Sequence, residues 1–143
     1  MARIKLTLPG DFPFTTTIPI RITDLNYGNH VGNDAVLSLI HEARMQFLAS
    51  HGYTEMQFAG VGMIMSDVAI EFKSELFYGD KVLASVAAGE ISKVGFELYY
   101  KLEKEIDGST TLVAAAKTGM VCYDYDAKKI VVMPNEAKAK LLQ

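Results

Sequence analysis

Cysteine is almost absent: Cys122 is the single one in 143 residues. A lone cysteine excludes an internal disulfide, so the core has to hold the fold. Cys122 stands among Met120, Val121 and Tyr123. No neighbouring group there would lower its pKa, so the setting is that of a packed thiol and not of a nucleophile. Long apolar runs are missing too. None approaches the ~20 residues of a membrane-spanning helix. The N-terminal stretch meets Pro9-Gly10 too early for a secretory leader. There is no basic excess either, with 14 Lys and Arg against 17 Asp and Glu and a formal charge of −3. That balance argues against a nucleic-acid partner, and it is too small for an acidic interaction tail. His30, His41 and His51 lack the spacing of a metal cluster, so no metal is expected. A soluble cytoplasmic protein without a membrane span is the expectation that remains.

What is present suits a folded core: half the residues are hydrophobic and 22% are charged. No repeat, linker or low-complexity tract divides the chain, which predicts one domain over residues 1–143. Residues 14–23 alternate, with Phe14, Thr16, Ile18, Ile20 and Ile22 on one side, predicting a strand. Pro19 inside it lacks a backbone donor and marks an edge or a bulge. Residues 24–33, rich in Asn and Gly, predict a loop. From residue 34 to 50 the period changes, with Val36, Leu37, Leu39, Ile40, Ala43, Phe47 and Leu48 spaced for a helix. Asn33 or Asp34 supplies its N-cap and Gly52 its stop. This helix is apolar around much of its girth, so it is expected to be wrapped. Strands follow at 63–75, 81–91, 94–105, 110–123 and 130–133, with Asp107-Gly108 as a hairpin turn. A short helix starts at Pro134-Asn135. The order predicts an α+β fold with one long helix wrapped by a curved antiparallel sheet of five or six strands. Small and apolar residues on the sheet's outer face predict self-association.

The run Asp24-Leu25-Asn26-Tyr27-Gly28-Asn29-His30-Val31-Gly32-Asn33, followed by Ile40-His41-Glu42-Ala43-Arg44, resembles the loop and helix of the 4-hydroxybenzoyl-CoA thioesterase family. That family belongs to the hotdog superfamily. Its pattern is roughly D-x-D-x-x-x-H-V-N-N, with E-x-A-R further along; plant acyl-ACP thioesterases carry a related run. Val68-Ala69-Ile70-Glu71-Phe72, with Gly79-Asp80 after it, is similar to the strand and turn that follow the helix in these enzymes. The resemblance covers residues 16 to 133 or so. It implies a hotdog fold and hydrolysis of an acyl-CoA or acyl-ACP thioester. It implies no cofactor beyond the coenzyme A of the substrate, and a homodimer or homotetramer with sites in clefts between subunits. His30 keeps the family's histidine, whereas the usual catalytic acid falls on Asn26. The asparagine of the plant enzymes falls on Gly28, and their later glutamate on Glu75.

Thioester hydrolysis needs a donor for the carbonyl oxygen, a group that activates water, and an apolar slot. Backbone N–H groups around Val31, Gly32, Asn33 and Asp34 supply the first, at the positive end of the helix dipole. Gly32 allows close approach. Tyr27, Val61, Met63 and Met65 are candidates for the slot. Asn26 cannot take up a proton near neutral pH but can hold a water or a carbonyl. His30 is the first candidate base, then Glu75, Asp24 and Glu42. Asp24 either orients His30 or caps the loop. Each residue also has a plain structural reading. Asp24 and Asn26 are turn formers, His30 suits a bond to a backbone carbonyl, and Glu42 suits a pair with Arg21 or Arg44. Met63 and Met65 suit the core. Three activities stay open: an acyl thioesterase, an acyl-thioester binder without turnover because of Asn26, and a hotdog dehydratase.

Overall fold

Helix α1, Asn33–Ser50, organises the computed structural model, which describes residues 3–142. The outermost residues of the expected 1–143 domain, Met1, Ala2 and Gln143, lie outside it. Val36, Leu39, Ile40, Ala43, Phe47 and Leu48 are buried, the spacing of one helical face. Ile40, Ala43 and Leu48 are completely covered. Each large aliphatic side chain buried this way contributes about 1.5–3 kcal/mol.

The strands are β1 Phe14–Pro19, β2 Gly62–Phe72, β3 Lys81–Ile91, β4 Gly95–Ile106, β5 Ser109–Asp124 and the short β6 Lys129–Ile130. Their order is β1-β3-β4-β5-β2, antiparallel throughout, with β6 beside β5. Helix α2, Asn135–Leu141, closes the chain, with Ala137 and Leu141 buried. One inward row runs Phe14, Val86, Tyr100, Ala116, Ile70 across the sheet, and the next runs Thr16, Ala84, Leu102, Ala114, Phe72. Alanines on this concave side let the sheet curl closely around α1. Asp107 and Gly108 both have positive φ, 50° and 81°, the conformation that a tight two-residue hairpin needs. This is the expected hotdog arrangement, a long helix inside a curved six-stranded sheet.

Four boundaries differ from the periodic pattern. β1 ends at Pro19, and a 3-10 turn, Ile22–Asp24, takes up the rest of the expected 14–23 strand. Ile22 is consequently 65% exposed instead of inward. β2 stops at Phe72 because the N–H groups of Lys73 and Ser74 both turn to the Val113 carbonyl. The helix cap is Gly32, not Asn33 or Asp34. The last expected strand shrinks to Lys129–Ile130, since Met133 donates to the Lys93 carbonyl instead of a ladder partner.

Arg44 is buried on α1, and a buried guanidinium requires partners. It meets Glu55 Oε2 at 3.2 Å and Tyr100 Oη at 3.2 Å, and Tyr100 bonds Thr118 Oγ1 at 2.8 Å. This network ties the connector after α1 to the helix and the sheet. The arm of residues 3–13 crosses the sheet's outer face. Leu6 N–H donates to Glu71 Oε1 at 2.5 Å, and Lys101 Nζ lies 4.9 Å from the centre of the Phe12 ring. Ser85, Ala87 and Ala115 on that face are buried.

Candidate active site

The 24–33 loop is bent back on itself by short-range bonds. Asp24 Oδ2 accepts the Arg21 N–H at 2.8 Å, and Oδ1 lies 3.4 Å from the Arg21 guanidinium. Asp24 therefore caps the 3-10 turn, with its carboxylate committed to Arg21 and not to orienting His30. The Asn26 N–H donates to the His30 carbonyl at 2.9 Å, and the Asn29 N–H to the Asn26 carbonyl at 3.1 Å. Asn29 takes positive φ, 64°, which asparagine tolerates. Val31 N–H donates to the Leu76 carbonyl at 2.9 Å. That last bond docks the loop on the segment leaving β2.

The two loop glycines mark where side chains crowd. Asn26 Oδ1 accepts the Gly28 N–H at 2.8 Å. A Cβ on Gly28 would stand 3.2 Å from Asn26 Oδ1 and 3.3 Å from His30 Nε2. The Asn26 and His30 side chains thus both border Gly28. A Cβ on Gly32 would stand 2.8 Å from Asp34 Oδ1 and 3.5 Å from Asn26 Nδ2. Asn26 and Asp34 thus both border Gly32. The spacing did not single out Asp34 as a site group, because an acid in a first helical turn already has a helix-dipole role. The glycine two residues before it was the available signal.

Gly32 has no side chain to cap α1. The first-turn N–H groups of Asn33, Asp34 and Ala35 have no partner inside the helix and carry its positive end. A cleft of about 290 Å³ opens beside them, lined by His30, Val31 and Asn33 on one wall and Glu75 on the other. Its apolar surface comes from Val36, Phe72, Leu76 and Val113. His30, Val31, Asn33 and Glu75 are thereby brought together, with Asn26 and Gly32 next to them.

The expected slot residues lie elsewhere. Met63 is 1% exposed, inside the core beneath the connector, where its N–H donates to the Glu55 carbonyl. Met65 follows on the open edge strand, and Tyr27 projects fully into solvent. Phe72, Leu76 and Val113 take their place because the cleft sits at the other end of β2. Glu42 accepts from Gln46 Nε2 at 2.7 Å; the expected arginine partners are taken by Asp24 and Glu55. Glu42 lines a separate hollow of about 410 Å³ between β1 and α1, and another of about 520 Å³ lies near Asp80 and Lys104. Both are larger, yet neither touches the helix N-terminus, so size does not decide the site. Cys122 is buried, and burial pushes its thiol up to about 11, which keeps it unreactive. Among the described residues no three His, Cys, Asp or Glu side chains form a metal-binding group, and no helix is long and apolar enough to cross a membrane.

Known proteins bear on this geometry. The sequence profile of the thioesterase-like superfamily matches residues 20–141. A 1,4-dihydroxy-2-naphthoyl-CoA hydrolase of Microcystis aeruginosa is 30% identical over 106 residues, covering 72% of this chain and 74% of its own. The crystal structure of a 1,4-dihydroxy-2-naphthoyl-CoA thioesterase from Synechocystis superposes with a TM-score of 0.80 at 20% identity, over 91% of this chain and 96% of its own. A 4-hydroxybenzoyl-CoA thioesterase variant, solved with 4-hydroxybenzoyl-CoA, gives a TM-score of 0.82 at 15% identity, over 90% and 97%. These two structural likenesses carry the fold. The profile match and the 30%-identical relative carry the family: the chain belongs to the thioesterase-like superfamily.

Proposed function

We propose that this thioesterase hydrolyses acyl-CoA thioesters in the cleft at the start of α1, releasing a free acid and coenzyme A. The observation that carries the reading is the convergence of His30, Asn33 and Glu75 on one cleft beside an uncapped helix N-terminus. The thioester carbonyl oxygen accepts from the first-turn N–H groups, which stabilise the negative charge developing there. Gly32 lets the carbonyl reach them. Val36, Phe72, Leu76 and Val113 hold the acyl group. At about 290 Å³ the cleft is at the small end of ligand pockets, about 300–1,000 Å³. Compact acyl groups, aromatic ones included, fit it better than long chains, in keeping with the naphthoyl-CoA hydrolase among its relatives. The test is release of free thiol from acetyl-, hexanoyl-, palmitoyl-, benzoyl- and 1,4-dihydroxy-2-naphthoyl-CoA, and from an acyl-ACP. Turnover of the compact esters is expected, and His30→Ala should lower kcat/KM. Folded protein inert on every ester would sink the reading. One observation favours a second reading, binding without turnover: an amide, Asn26, stands at the family's acid position. Thermal stabilisation by benzoyl-CoA with no thiol release would support it.

We also infer a homodimer across the β2 edge. Met65, Val68 and Phe72 share the inner side with the buried Met120, Thr118 and Ala114 of β5, yet they are 38%, 39% and 49% exposed. Helix α1 packs towards β1 and β3 and leaves this strip uncovered. Phe72 also lines the cleft, so a second copy on the strip would help to close it. Light scattering of the purified chain tests this, and a monomer at micromolar concentration would refute it.

A further inference from the structure

The thioesterase reading leaves open which group takes the proton from water, since Asn26 cannot. We propose that Asp34 is the general base, working with Asn26 beside Gly32. This inference rests on the thioesterase reading.

Gly32 has an extended backbone, φ −74° and ψ 165°, a conformation open to any residue, so backbone strain does not demand a glycine. Space does. The position a Cβ would fill is 2.8 Å from Asp34 Oδ1 and 3.5 Å from Asn26 Nδ2. An acceptor and a donor therefore both border the space over a residue without a side chain. Asn26 is fixed in that orientation by its own carbonyl oxygen, which holds the Gly28 N–H at 2.8 Å. Its NH2 is left to point towards Gly32. A water between them would accept from Asn26 Nδ2–H and donate to Asp34 Oδ1. Its remaining lone pair would be free to attack a carbonyl held at the uncapped first turn of α1. Glu75 and His30 line the neighbouring cleft. Asp24, the other loop acid, is committed to Arg21.

The step balances without a further reactant. As the water oxygen bonds to the thioester carbon, Asp34 takes one water proton and the carbonyl oxygen becomes an oxyanion. When that intermediate collapses, the C–S bond breaks, and the departing sulfur takes the proton back from Asp34. The products are the acid and the free thiol, with Asp34 ionised again.

The test uses the full chain and the acyl-CoA that the wild type turns over fastest in the panel above. Asp34→Asn is isosteric at an exposed position, so its thermal midpoint should stay near that of the wild type. Its kcat should fall by about 10²–10⁴-fold, the range for a lost general base, with KM little changed. The acid limb of the kcat/KM profile should vanish as well, an outcome that loss of a helix-dipole contact would not produce. Asn26→Asp places two carboxylates around one point, which raises the apparent pKa of the pair, so its acid limb should move to higher pH. Asn26→Asp combined with Asp34→Asn should recover part of the lost kcat. Asp34→Asn with kcat within threefold of wild type would overturn the proposal and leave the thioesterase reading standing. So would a loss of the acid limb in Glu75→Gln instead. A wild type inert on every ester would overturn both.

Discussion

Gly32→Ala separates the chemical role of this residue from its structural one. The backbone there, φ −74° and ψ 165°, accepts alanine without strain. The new methyl would meet Asp34 Oδ1 at 2.8 Å, but that atom ends an exposed side chain and can swing aside. The folding cost is then mainly that of a poorer N-cap, about 1 kcal/mol. For a chain of this length that lowers the melting midpoint by about 3–4 °C. The catalytic cost is of another order. Displacing a reacting group by ~1 Å costs about 10²-fold in rate, equivalent to about 2.7 kcal/mol in the barrier. The methyl displaces Asp34 and fills the space assigned to the water. Thiol release and circular-dichroism melts on the same preparation should show a folded protein with kcat/KM reduced at least 100-fold. An alanine variant that keeps more than a third of wild-type kcat/KM would refute the assignment of this space. So would an activity loss that merely follows the fraction unfolded.

Three further outcomes follow from the surrounding structure. Tyr100→Phe removes the hydroxyl that joins Arg44 to Thr118. Leaving those buried groups short of a partner should cost about 1–3 kcal/mol, read by urea unfolding; a change below about 0.5 kcal/mol would contradict the network's role. Cys122, with its thiol pushed from 9.0 to about 11 by burial, should alkylate with iodoacetamide at pH 8 at least ~100-fold more slowly in the native state than in urea, since each unit is tenfold in thiolate. A raised thiol favours the neutral form, so this contribution to stability persists below pH 9 and is lost as pH rises towards 11. Glu71 runs the other way. The Leu6 N–H, and then Lys73, hold its carboxyl below the ordinary value of 4.5. The anchoring of the 3–13 arm is therefore complete above that value and is lost as pH falls through the lower folded one. The Leu6 amide shift, followed by NMR, should titrate with Glu71 and become insensitive to pH in Glu71→Gln.

Much of the fold was legible because its signals are local. The change from period two to the helical period at residue 34, and the Asp107-Gly108 turn, each placed an element. Proline at position 19, read as an edge or a bulge, falls in the edge strand β1 and is its last residue, while the alternation runs on to Thr23. Long-range geometry was not legible. Met63 and Met65 alternate onto the inner face as expected, and the bulge at Ser66 brings Val68 onto it too. Which end of that face borders the helix N-terminus depends on where α1 lies against the sheet. Periodicity fixes the face a residue occupies but not its height along the strand. For that reason the slot was assigned to methionines at one end of β2 when Phe72 at the other end lines the cleft.

The same limit explains the site. The motif pointed to the 24–33 loop, and its amide at position 26 exposed a gap in the chemistry. Filling the gap needs a carboxylate near one point in space, whatever its place in the sequence. A loop that folds back on the helix start brings Asn26 and Asp34 both beside Gly32. Either position can then present a carboxylate to the same water. Asp34 belongs to the first turn of the helix whose N–H groups would polarise the carbonyl, so in this proposal one structural element carries both the electrophile's activation and the base.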